Sequence, residues 1–156
     1  MKLMRTFGYL MTSCAVLASG CAPMKIGDDV PLADRPVQPP RADVPKELAA
    51  FSGRWVGVWI DGRDYRKNMA LIIERLEPPD RATGFYGCGH AFPKANPVCP
   101  GSMPVSGQLK DGLLRISYPA IQAEGRYRIN GEVLEGQMVD WKSGKVLIWV
   151  TAKRLP

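Results

Sequence analysis

Beyond residue 47, apolar, β-branched and aromatic residues recur in short runs, and Gly, Asp, Asn and Pro separate them at close intervals. Eight runs read as strands: Gly53–Ile60, Asn68–Leu76, Thr83–Cys88, Met103–Leu109, Leu113–Tyr118, Ala123–Ile129, Val133–Asp140 and Lys145–Lys153. In the first, period-2 alternation puts Trp55, Gly57 and Trp59 on one face and Arg54, Val56 and Val58 on the other. Two indoles together belong out of water, so Trp55 and Trp59 are expected inside, with Gly57 leaving room for both rings and permitting sharp coiling. The last run is apolar on both faces, with Val146, Ile148 and Val150 on one and Leu147 and Trp149 on the other. Either one face packs on the lead-in segment, or a hydrophobic patch stays exposed for a partner.

The turns agree with this rhythm. Asn130-Gly131 and Asp111-Gly112 each sit between two runs, the strongest short-range hairpin signal, and Lys142-Ser143-Gly144 closes the last hairpin. One short helix is expected at Lys46–Phe51. Strands joined by short turns favour an up-and-down meander, and closure removes its edges. The fold class is therefore all-β: a small antiparallel up-and-down β-barrel of about eight strands over residues 48–156.

The first 47 residues have a different texture. After Lys2 and Arg5, no charge occurs from Thr6 to Gly20, a run that fits a secretory signal and is too short for a membrane span. Residues 22–47 hold six of the chain's 14 prolines and no Trp, Phe or Tyr, and they show no apolar period. Such a segment buries too little to offset its own ordering and reads as an extended tether. Charge follows the same division. The whole chain carries +6, divided as +2 from Lys2 and Arg5, −1 on the tether, and +5 on residues 48–156 from fifteen basic and ten acidic side chains.

The charge-free run closes on Leu17-Ala18-Ser19-Gly20-Cys21, where the chain resembles bacterial lipoproteins. The resemblance implies a signal peptide over residues 1–20 and a lipidated (palmitate-bearing) Cys21 as the mature N-terminus, followed by a tether to residue 47. With Ala22 rather than Asp next, it also implies an outer-membrane address facing the periplasm. The runs Phe51-Ser52-Gly53-Arg54-Trp55-Val56-Gly57-Val58-Trp59 and Lys153-Arg154-Leu155 resemble the calycin group of lipocalins, fatty-acid-binding proteins and avidins. That resemblance implies that Trp55 closes one end of the barrel and that Arg154 packs over it, a cation–π contact of roughly 0.5–2 kcal/mol. The lipocalins' midway Thr-Asp-Tyr triplet has no more than an echo in Val139-Asp140-Trp141, and the strands are expected to be too short for a deep cup.

In an exported chain with Cys14 in the signal peptide and Cys21 taken by lipid, Cys88 and Cys99 are left to pair. The loop between them, the longest in the domain, carries the only His. Long loops in compact domains are often functional. A ligand or partner site is accordingly expected at Trp59, Phe85, Tyr86, His90 and Phe92. Catalytic chemistry finds little footing: Val105-Ser106-Gly107 lacks a nucleophile elbow, and one His with two paired Cys makes no metal site. Asp61/Asp64 and Glu74/Glu77 read as solubilising charge at strand ends. No catalytic residue, metal or cofactor is expected. Arg63, Arg66 and Lys67 around Tyr65, and Arg126 and Arg128 around Tyr127, are too sparse for nucleic acid and fit solvated surface or anionic head groups better. The expected function is a membrane-tethered envelope module that binds, without catalysis, a small apolar or amphipathic ligand or an envelope protein. An inhibitor of an exported hydrolase is the alternative, by likeness to small-barrel periplasmic protease inhibitors with one disulfide.

Overall fold

The computed structural model describes residues 29–31, 35–92 and 99–156; the charge-free run, Cys14, Cys21 and residues 93–98 lie outside the described residues. A short helix, α1 (Lys46–Ala49), leads into eight strands: β1 (Gly53–Ile60), β2 (Arg66–Glu77), β3 (Arg81–Phe92), β4 (Gly101–Lys110), β5 (Leu113–Tyr118), β6 (Ala123–Asn130), β7 (Val133–Asp140) and β8 (Val146–Leu155). Each pairs antiparallel with the next and β8 returns to β1, closing the barrel. Closure gives every strand a neighbour on both sides, although the β4–β5 ladder runs only from Gly107↔Ile116 to Lys110↔Leu113 and leaves the first half of β4 paired on one side. Asp111 and Gly112 both take positive φ, 54° and 73°, as a tight primed hairpin turn requires.

β2 and β3 are each twelve residues long, more than their apolar runs suggest. Their added ends are polar (Arg66, Lys67, Arg81), yet the ladder continues through them. Gly57 also has a different task from the one expected. A Cβ there would run into the Thr151 carbonyl oxygen and the Ala152 Cα of β8, so glycine serves the close approach of two backbones rather than the space between two indoles.

The two ends of the barrel differ. At the plugged end, Val44, Leu48 and Phe51 pack into one core cluster with Trp55. Among the described residues the rim is formed by the connections 61–65 and 141–145, by Cys99 and Pro100 ahead of β4, and by a 3-10 turn at Pro119–Ile121. Between the ends the barrel is filled by side chains, the largest of them Trp55, Trp59 and Tyr127, all fully buried.

The supposed tether is shorter than its composition suggests. Residues 35–45 and 29–31 climb the outside of β1–β3 from the plugged end to the rim. Gln38 N–H donates to the Glu74 carbonyl at 2.9 Å, and Arg54 donates to the Arg35 carbonyl at 2.8 Å. Val30 packs on Val56 and Ala70. Asp29 accepts from the Asn68 side chain at 3.0 Å and the His90 backbone N–H at 2.7 Å. The segment cannot bury itself, but it lies on apolar surface that the barrel supplies.

Candidate functional site

At the plugged end, strand register sets Trp55 beside Arg154. The guanidinium lies 4.3 Å from the indole centroid, and it donates to the carbonyls of Ala50 (2.7 Å) and Ser52. The indole N–H donates to the Phe51 carbonyl at 2.9 Å. Arg154 thus ties the carbonyls left open at the end of the lead-in helix to the first and last strands.

Inside, polar groups are matched in pairs. Trp59 donates its indole N–H to the Tyr86 hydroxyl at 3.0 Å, and the Tyr118 and Tyr127 hydroxyls share a hydrogen bond of 2.8 Å. Trp59 and Tyr127 meet edge to face at 6.1 Å, as do Tyr86 and Tyr118 at 5.2 Å. Gly125 and Gly136 leave the room that Tyr127 fills. Burial pushes all three phenols well above the ordinary tyrosine range, so their hydroxyls stay protonated and act as structural hydrogen-bonding groups.

One charged group shares this interior. Lys67 is 3% exposed, its Nζ lies 6.0 Å from the Tyr86 ring centroid, and burial pushes its pKa down to about 8. Among the described residues no carboxylate forms an ion pair with it. The cavity beside it, lined by Tyr86, Cys99, Met103, Tyr118 and Met138, holds about 10 Å³, room for one water at most. Sequence reading grouped Lys67 with the exposed Arg63 and Arg66. In fact it has the same parity as Met69 and Leu71 and points inward with them, which an earlier start to the second strand would have shown.

The five residues expected to form one ligand site are not brought together. Trp59 and Tyr86 are core residues bonded to each other. Phe85, next to Tyr86, points outward because adjacent strand residues face opposite ways, and the Arg35 guanidinium covers it at 3.5 Å from the ring centroid. His90 is exposed at the rim, its backbone held by Asp29. Phe92 ends β3, and its side chain is outside the described residues. Cys88 and Cys99 do form a disulfide, with Cα atoms 5.6 Å apart, stapling the end of β3 to the start of β4.

The outer wall carries what the interior lacks. An open groove of about 400 Å³ runs between Leu113, Arg126, Arg128, Gln137 and Trp149. Its cations are already paired, Arg126 with Glu124 at 2.6 Å and Arg128 with Glu135 at 2.7 Å. Among the described residues the exposed large apolar side chains are Ile60, Trp141, Val146, Leu147 and Trp149. All five lie in the rim half of the barrel on β1, β8 and the turn before β8, so the last run's second face is the exposed patch. Among the described residues no three His, Cys, Asp or Glu side chains are placed to share a metal ion, and no helix is long and apolar enough to cross a membrane.

No protein-family model matches the chain, and no curated protein matches it. Among solved structures it is similar to the zebrafish ileal bile acid-binding protein complexed with cholic acid, at 17% sequence identity and a TM-score of 0.38, covering 68% of this chain and 99% of that one.

Proposed function

We propose that the chain is a lipid-anchored, non-catalytic module of the bacterial cell envelope that works through the outside of its barrel. The observation that carries this reading is the packed interior. The positions where a small-barrel carrier would hold its ligand are taken by Trp59, Tyr86, Tyr118 and Tyr127, hydrogen-bonded in two pairs, with a cavity of about 10 Å³ beside them. A ligand site of ordinary size needs roughly 300 Å³ or more. The anchor is supported by the run Leu17–Cys21 and by the apolar segment before it. The periplasmic face of the outer membrane is the address this implies.

The decisive experiment has two readouts on the full chain. Labelled palmitate should enter the wild type and not the Cys21→Ala variant; equal labelling of both would remove the anchor. A fluorescent fatty acid should show no saturable binding to the barrel, whereas one-to-one binding weakened by Tyr118→Phe would place the ligand inside and overturn the exterior reading. A solid core suits an inhibitor of an exported hydrolase equally well. Against that alternative, the described part of the N-terminal segment lies flat on β1–β3 instead of projecting.

A further inference from the structure

We infer that the rim half of β8, with the neighbouring rim turns, is a docking face for the surface of an anionic phospholipid bilayer, on which the barrel lies once it is anchored. The inference rests on the anchor reading above and adds orientation and contact to it. Trp141 and Trp149 are 49% and 46% exposed, in a molecule whose other two tryptophans are fully buried. Ile60 pairs with Trp149 across the β1–β8 ladder, and Leu147 is two residues along the same face, so the apolar groups form one continuous patch. An indole combines an apolar body with a polar N–H and partitions to the boundary between head groups and acyl chains. Lys142 and Lys145 flank the patch on the rim turn, exposed, and among the described residues neither is ion-paired. Their neighbour Asp140 is engaged by the Ser143 N–H and hydroxyl, which both donate to it at 2.7 Å.

What selects a bilayer rather than a protein is where the chain leaves the fold. The strap climbs to the rim and its last described contact is Asp29, on Asn68 of β2 and His90 of β3. β8 lies two strands away from β2, about 10 Å at ordinary strand spacing. Cys21 is eight residues before Asp29, which even fully extended span at most about 27 Å. A lipid on Cys21 therefore keeps the rim within about 27 Å of the membrane. The apolar patch is at that same end. A tether running free to residue 47 would have let any face of the barrel meet the lipid.

The full lipidated chain, reconstituted into vesicles of phosphatidylcholine and phosphatidylglycerol carrying bromines near the head of the acyl chain, tests the face. Flotation of the vesicles reads the anchor separately. Bromine should quench the exposed-tryptophan emission at least twofold. That quenching should be absent in Trp141→Ser/Trp149→Ser, whose remaining Trp55 and Trp59 emission reports that the barrel is folded, and it should weaken in Lys142→Glu/Lys145→Glu. A wild-type chain that floats without being quenched overturns the docking face and leaves the anchor standing. A blue shift without quenching also overturns it, since the patch is then covered by a second copy or another protein. Should the wild type fail to float, the anchor reading falls and Cys21→Ala with excess anionic vesicles decides the face: quenching supports it, and none overturns it.

Discussion

Val56 and Ala70 face outward from β1 and β2 and are 5% and 1% exposed, whereas Leu147 and Trp149 face outward from β8 and are 45% and 46% exposed. Both walls are apolar on two faces, and both are backed by the same packed interior. The difference is the strap, whose described part packs Val30 with Val56 and Ala70, a cluster that β8 joins only through Leu155 at its plugged end. A two-sided apolar strand therefore says only that something covers it. On β1–β2 the cover is the chain's own N-terminal segment, and on β8 it has to come from outside the described fold.

The largest expected effect breaks the comparison directly, by making one substitution on both walls. Val56→Asp would bury an unpaired carboxylate under the strap and should destabilise the full chain by about 3–5 kcal/mol. Leu147→Asp, on the bare wall, should change stability by about 1 kcal/mol or less. Urea unfolding reads both. Similar losses at the two positions would mean that the β8 wall is covered as thoroughly as the other.

A second test concerns the interior that backs both walls. Lys67 titrates at about 8 instead of its ordinary 10.5, because burial disfavours the ammonium. Between these values the unfolded chain holds the proton and the folded chain does not, so this group's contribution to stability rises with pH. Below pH 8 both states are charged and the folded state bears the full penalty, about 3 kcal/mol. Lys67→Met should therefore stabilise the protein by about 1–3 kcal/mol at pH 7, and the advantage should shrink as pH climbs from 8 towards 10.5. A gain independent of pH in chemical denaturation would show that packing, and not charge, sets the effect.

The parts of this architecture that were legible in the sequence are the local ones. Asp111-Gly112 forces its hairpin through backbone conformation and Gly131 does so in the next, and alternation puts Trp55 and Trp59 on one face; neither depends on distant chain. The strap was not legible, because residues 22–47 carry no apolar period of their own and the burial of Val30 depends on Val56 and Ala70. A trace was present even so: Ala70 and Ile72 make β2 apolar on its outer face as well. The placement of Phe85 follows from a related reason. Phe85 and Tyr86 were grouped as neighbours in sequence, although adjacent strand positions face opposite sides of the wall. Lys67 was assigned to the surface by its residue type, when its parity with Met69 placed it inside.

The smallest expected effect sharpens the comparison at the strap's last anchor. Asp29 accepts hydrogen bonds from the Asn68 side chain and from the His90 N–H, and the Asn68 bond foremost holds its carboxyl below the usual carboxylate value. A carboxyl so lowered stabilises the docked strap above its unfolded value near 3.8 and loses that contribution as pH falls through its folded value. Asp29→Ala should therefore leave global stability within about 1 kcal/mol while speeding amide exchange at His90, whose N–H loses its acceptor. In the wild type, the same amide should lose protection only at pH below about 4, beyond the intrinsic pH dependence of exchange. Exchange at Val150, whose backbone lies in the β8 ladder away from the strap, should not change in either case. If Asp29→Ala loosened both sites together, the strap would support the whole barrel rather than one wall of it, and the contrast between the walls would no longer be local.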